Sequence, residues 1–201
     1  MGKKEISAKL VAELRAKTGA GMMDCKKALE EADGDFAKAE EILRVKYAAK
    51  ADKRAERVAS EGLIESYIHF NGKIGVMVEL GCETDFVART DDFRALAKDL
   101  CLHIASARPM TVSKEQVPAD VVEREKRIFE AQAVEEKKPE AMREKIIQGR
   151  LKKFFEETVL LEQKFIKDDS IAVGDMVKAL AAKTGENVQV RRFARFELGA
   201  D

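Results

Sequence analysis

Apolar residues recur at helical spacing three times within the first fifty positions. Ile6, Leu10 and Leu14 follow one another at intervals of four, with Ser7 placed to cap the helix. Ile6 and Val11 occupy the two positions of a hydrophobic staple around that cap. Thr18-Gly19-Ala20-Gly21 stops the run, because glycine accepts the left-handed conformation that ends a helix. A second helix carries Met22, Cys25, Leu29 and Ala32 on one side and stops at Gly34. Asp35 caps a third, which turns Phe36, Ala39, Leu43 and Tyr47 inward. The pattern predicts a three-helix bundle over residues 1–50. Residues 48–60, AAKADKRAERVAS, nearly lack large apolar side chains. They read as a helical or flexible charged linker, assigned to 51–60. Lys50, Lys53, Arg54 and Arg57 there suit either a solvated face or contacts to RNA phosphates.

The period then changes from helical to alternating. Ile64, Ser66, Ile68 and Phe70 alternate with Leu63, Glu65, Tyr67 and His69. Asn71-Gly72 follows, a dipeptide suited to a tight hairpin turn with positive φ at both positions. The return strand, 73–80, sets Ile74, Val76, Val78 and Leu80 on one face. A polar loop leads to a helix capped by Thr90 or Asp91, with Phe93, Leu96, Ala97, Leu100 and Ile104 apolar and Pro109 at its end. Two long charged helical patterns fill 118–157, broken near Pro139, and predict an antiparallel helical hairpin. Residues 160–166 read as a short strand or loop, 175–183 as a helix stopped by Gly185, and 187–198 as a long final strand. That strand sends Val188, Val190, Ala194, Phe196 and Leu198 one way and needs partners on its edges. The fold class is therefore α+β: the bundle, then an antiparallel sheet with a helical hairpin over 61–201.

Composition narrows the function. Lys plus Arg is 37 and Asp plus Glu is 37, so no basic excess exists to coat nucleic acid or an anionic membrane. The absence of Trp and the presence of only 3 Pro disfavour an all-β fold. No stretch approaches the ~20 apolar residues that span a bilayer, and no apolar run follows the opening residues, so a cytoplasmic protein is expected. Cys25, Cys82 and Cys101 are far apart and odd in number, which reads as buried thiols rather than a disulfide framework. His103 follows Cys101 by two positions, so on a helix the pair diverges and cannot share a metal. No phosphate-binding glycine motif, serine elbow or cysteine–histidine pair is evident. The expectation is a protein that acts by contact, not an enzyme, without metal or cofactor.

Two stretches stand above this background: LRAKTGAGMMDCKKAL at 14–29 and ETDFVAR at 83–89. With the Asn71-Gly72 hairpin, GRLKKF at 149–154 and VRRFARFEL at 190–198, they closely resemble the elongation factor Ts family. Members of that family are bacterial guanine-nucleotide exchange factors for elongation factor Tu. The resemblance covers nearly the whole chain. It implies an N-terminal domain similar to ubiquitin-associated domains, followed by a dimerisation core. Longer members carry a duplicated core and a further helical module. This chain shows one core copy and so looks like the short form, for which a homodimer is implied, with a monomer as the alternative.

The resemblance also implies site residues. Arg15, Met22 and Met23 match positions that contact the partner's GTPase domain, and the flexible, polarizable methionines suit such a surface. Periodicity alone would instead pack both methionines inside the bundle. Thr84, Asp85, Phe86 and Val87 match the segment that reaches into the partner and dislocates its Mg²⁺. Without the resemblance, Phe86 in that loop reads as an inward plug. The competing function is an interaction module without exchange activity; neither membrane nor direct nucleic-acid binding is expected.

Overall fold

The computed structural model describes residues 6–54 and 57–200, without the side chains of 48–54. The chain divides into two units by its internal contacts. One gathers the chain through Ile64, Glu79–Ala97 and Asp175–Val190; the other gathers Glu65–Val78, Lys98–Gly174 and the residues from Arg191 onward. Three strands, β1 (Glu61–Ile68), β2 (Ile74–Cys82) and β5 (Gln189–Glu197), form a sheet in the order β1-β2-β5. Together with the helices described below they make the α+β architecture expected from the periodicities.

The first unit opens with α1 (Ala8–Thr18), α2 (Met22–Glu31) and α3 (Phe36–Arg54). Ser7 Oγ accepts the Leu10 N–H at 3.2 Å and starts α1. Gly19, at φ 67°, ends it by donating its N–H to the Arg15 carbonyl. The Asp35 carboxylate accepts the Lys38 N–H at 3.1 Å and starts α3. Leu14, Leu29 and Leu43 meet in the bundle core with Val11 and Ala39. Each large side chain so buried contributes about 1.5–3 kcal/mol. Met22 departs from the expected inward face of α2. Ala20 and Cys25 already fill that end of the core, the Cys25 thiol lying 3.7 Å from the Ala20 carbonyl, and Met22 is left outside. Of the linker expected at 51–60, residues 55 and 56 lie outside the described residues, and α3 itself runs to Arg54.

The same unit contains most of α8 (Val173–Thr184) and the start of α5 (Asp91–Ala107). Arg44 of α3 forms an ion pair with Asp175 of α8. The stem of Lys183 crosses the α1–α2 turn so closely that a Cβ on Gly19 would lie 3.3 Å from its Cδ. The Lys183 ammonium pairs with Asp92 at 2.6 Å. A bundle of this size has little core of its own, and α8 supplies it with a brace.

In the second unit the hairpin turn differs from expectation. Only Gly72 takes positive φ, at 68°, and Asn71 does not. The Gly72 N–H closes a turn on the His69 carbonyl at 2.8 Å, and Asn71 Oδ1 accepts the Lys73 N–H at 3.0 Å. A longer turn with one left-handed glycine thus replaces the two-residue form. Val76 and Val78 are buried with Leu100, Cys101 and Ile104 of α5. On the other face Ile68, Met77 and Phe196 stay exposed, Ile68 at 67% and Phe196 at 68%. The Leu198 N–H donates to the Lys73 carbonyl at 2.8 Å and fixes β5 against β2 at this end.

The expected helical hairpin is α6 (Ala119–Glu135) and α7 (Glu140–Thr158). Arg150 crosses it, donating to Glu136 at 2.7 and 2.8 Å and to Gln132 at 2.9 Å. The 160–166 segment contains β3 (Lys164–Phe165), which pairs antiparallel with β4 (Asp168–Ala172). Strand β4 was not expected, since Asp168-Asp169-Ser170 carries no strand pattern and depends on tertiary pairing. His103 is buried here. Its Nε2 donates to Gln163 Oε1 at 2.9 Å, and its Nδ1 accepts the Ile166 N–H at 3.3 Å. All three cysteines are buried and free.

Candidate partner-binding site

Strand β2 runs out at Cys82, and Glu83 and Thr84 lead into α4, a single helical turn over Asp85–Ala88. A plain loop was expected there. Thr84 stands at the cap position with extended backbone, but its hydroxyl makes no cap hydrogen bond. It donates instead to Glu186 Oε1 at 2.6 Å. The N–H groups of Glu83 and Thr84 both donate to Glu186 Oε2 at 3.0 Å. The Thr84 carbonyl accepts from the Cys82 thiol at 3.1 Å. Burial, and then the Glu186 carboxylate, push the Cys82 thiol up to about 11, which keeps it a protonated donor.

At the far end of the turn, Thr90 Oγ1 donates to the Val87 carbonyl at 2.8 Å and accepts the Phe93 N–H at 3.3 Å, opening α5. Asp85 pairs with Arg89 at 2.8 Å along the outer side. Ala88 is buried and Val87 half-buried, so the turn has an inner face. Residues two apart on a helix lie on opposite sides. Phe86 therefore points away from the buried Ala88, and it is 78% exposed. The inward plug suggested by the residues alone is not what forms.

The second group lies on the bundle. Arg15 is exposed in the last turn of α1. Met22 and Met23, the first residues of α2, are 53% and 63% exposed. The start of α2 is held by Tyr47 of α3, whose hydroxyl accepts the Gly21 N–H at 3.1 Å and donates to Asp24 at 3.3 Å. Desolvation raises the Tyr47 pKa and keeps that hydroxyl intact. Both groups depend on the end of α8. Lys183 braces the α1–α2 turn, and Glu186, three residues on, holds Thr84.

Sequence reasoning missed Glu83, Glu186, Asn187 and Tyr47 as parts of this arrangement. Glu83 accepts the Asn187 N–H at 2.6 Å and faces Arg57 at 3.5 Å. Asn187 Nδ2 donates to the Arg57 carbonyl at 2.8 Å. Thr84 and Glu186 stand 102 positions apart and Glu83 and Asn187 stand 104 apart, so these pairs leave no local pattern to read. Among the described residues no group of three or more histidine, cysteine or acidic side chains is placed to hold a metal ion. Nor is any described helix long and apolar enough to cross a membrane.

The family described as elongation factor TS matches residues 5–200. The elongation factor Ts of Anaeromyxobacter sp. (strain Fw109-5) is 59% identical over 195 residues, covering 97% of this chain and 89% of that protein. That of Fervidobacterium nodosum is 56% identical over 195 residues, covering 97% of this chain and 99% of the relative. That of Carboxydothermus hydrogenoformans is 56% identical over 194 residues, covering 96% and 89%.

Proposed function

Because this chain belongs to the elongation factor Ts family of translation elongation factors, we propose that it is a guanine-nucleotide exchange factor for elongation factor Tu. It binds the GDP complex of that partner, disturbs its Mg²⁺ and phosphate site and speeds replacement of GDP by GTP in the cytoplasm. The chain makes and breaks no covalent bond and is not an enzyme in the usual sense. The exposed ring of Phe86, carried on a turn tied down at both ends, is the observation that supports this most directly.

Mg²⁺ requires near-octahedral coordination, so a small displacement of its ligands weakens it disproportionately. Without the ion, much of what holds a diphosphate is lost. Burial of the Phe86 ring in the partner supplies about 1.5–3 kcal/mol toward the distorted, nucleotide-free state. Asp85 places a carboxylate beside it, and Thr84 and Val87 complete the approach. Arg15, Met22 and Met23 provide a separate grip on the GTPase domain. Linkage fixes the balance: whatever factor the protein takes from GDP affinity, GDP takes from the protein's affinity, at about 1.4 kcal/mol per tenfold.

The bare sheet face with Ile68, Met77 and Phe196 supports a homodimer, as does the free edge of β5. Apolar side chains lining one side of a sheet gain most from a second, identical surface.

The test is release of labelled GDP from elongation factor Tu. Phe86→Ala should slow stimulated release by about tenfold or more, since each tenfold corresponds to about 1.4 kcal/mol and the ring supplies more. Its melting temperature should match the parent's. Release as fast as the parent's would remove the wedge role of Phe86, and a parent that does not speed release would remove the exchange reading.

A further inference from the structure

Four residues of helix cannot sustain themselves, since isolated helices below about 12–15 residues are marginal in water. The α4 turn must therefore be held by its surroundings, and at its start one side chain accepts three hydrogen bonds. The Glu186 carboxylate accepts two backbone N–H groups and one hydroxyl from Glu83 and Thr84, at 3.0, 3.0 and 2.6 Å. Hydrogen bonds to an ionised acceptor are roughly twice as strong as neutral ones. The tie is reciprocal, because Glu83 accepts the Asn187 N–H at 2.6 Å. Gly185, at φ 78°, turns the chain out of α8 and aims the next residue at the turn. Asn187 is buried, so the Glu186 backbone is anchored from the other side too. No partner contact is needed to explain Glu186: its carboxylate already serves three donors within the chain.

We propose that Glu186 is a positioning residue, which clamps the start of the α4 turn and thereby presents Phe86 outward in the geometry that engages the partner. The proposal rests on the exchange reading given above and adds to it the element that keeps the ring poised before any encounter. Pre-organisation of this kind avoids ordering the turn during binding, so its loss appears in function even though Glu186 touches nothing foreign.

The test compares Glu186→Ala with Glu186→Gln in the full-length chain. Glutamine can accept both N–H groups on its amide oxygen and donate to the Thr84 hydroxyl, so it preserves the pattern without the charge. Two readouts are taken: hydrogen–deuterium exchange at the Glu83 and Thr84 amides, and stimulated GDP release from elongation factor Tu. In Glu186→Ala both amides should lose protection and release should slow by about tenfold, the scale of one lost anchor. Glu186→Gln should recover release to within about threefold of the parent. In a Phe86→Ala background, Glu186→Ala should add less than about twofold, because residues acting through one another do not add. Unchanged amide protection in Glu186→Ala would overturn the proposal. So would loosened amides with parental release while Phe86→Ala is slow, an outcome that leaves the exchange reading standing. A full additional loss in the Phe86→Ala background would show that Glu186 acts elsewhere. Parental release by Phe86→Ala would overturn the proposal, since Phe86 would then not be the group that engages the partner, whereas no stimulated release by the parent would remove the exchange reading itself.

Discussion

A phenylalanine ring left in water forgoes about 1.5–3 kcal/mol that burial would provide, and Phe86 is left so at 78% exposure. The neighbouring alanine shows that an inward position was available: Ala88 faces the interior of the same turn. The same logic applies to Met22 and Met23, which open α2 while Cys25, Ala28 and Leu29 complete its inner face. Side chains that the bundle core does not use can be removed without loss to the bundle. A Met22→Ala/Met23→Ala double variant should keep stability within about 0.5 kcal/mol of the parent in urea unfolding, as exposed substitutions do. Titration of elongation factor Tu should nevertheless require several-fold more of the variant to reach half-maximal GDP release, with little change in the saturated rate. A clear fall in the urea midpoint would return the methionines to the core. The cysteines behave in the opposite way. Burial pushes Cys101 up to about 12, so its thiol is a packed apolar group and not a reactive one.

At the scale of elements, glycines separate what close packing requires from what it leaves open. A Cβ on Gly62 of β1, at φ 144°, would sit 2.2 Å from the Leu80 carbonyl oxygen on the neighbouring strand. Gly62→Ala must therefore push two paired strands apart, and it should lower the thermal midpoint severely or abolish soluble expression. Gly149 lies inside α7 with nothing within 4 Å of the corresponding position. Gly149→Ala should raise stability by about 0.8–1 kcal/mol, the helix-propensity difference, readable as a higher urea midpoint. Equal effects at the two positions would contradict the strand and helix environments described. Legibility in the sequence followed the same division between local and distant causes. Helices α1 to α3, the β1–β2 hairpin, the α6–α7 hairpin and β5 were readable because cap, period and turn residues lie within a few positions of each other. Strand β4 was not, because Asp168-Asp169-Ser170 carries no strand pattern although its partner β3 is near in the chain; the one-turn α4 was not, because what holds it is remote: Thr84 reaches Glu186 across 102 positions. Thr84 to Val87 could be singled out by resemblance, but what holds them could not be read.

At the scale of the whole molecule, two properties follow from surfaces and from one buried base. A chain with balanced charge, 37 basic against 37 acidic residues, opposes self-association weakly. The dimer proposed on the bare sheet face should then persist at moderate salt. Light scattering across a concentration series should give twice the 22.4 kDa chain mass, and Phe196→Lys should return it to one; a monomer throughout would remove that proposal. Acid stability depends on His103. Burial lowers its pKa from the ordinary 6.5, the Gln163 hydrogen bond opposing this less strongly. Its neutral form fits the site, because Nδ1 must remain an acceptor for the Ile166 N–H. Below pH 6.5 the unfolded chain binds a proton that the folded chain refuses, so stability must fall as pH drops through that range. The fall levels off once pH passes below the folded value. Carboxylates such as Glu136 and Glu197, held low by arginine partners, lose their contribution only below their ordinary 4.5. The two windows are therefore separate. Urea midpoints should decline between about pH 7 and pH 5 in the parent, while His103→Asn, less stable at neutrality, should show a nearly flat profile over that interval. A flat parental profile would mean that His103 accepts its proton in place, with the Ile166 tie already broken in the native chain.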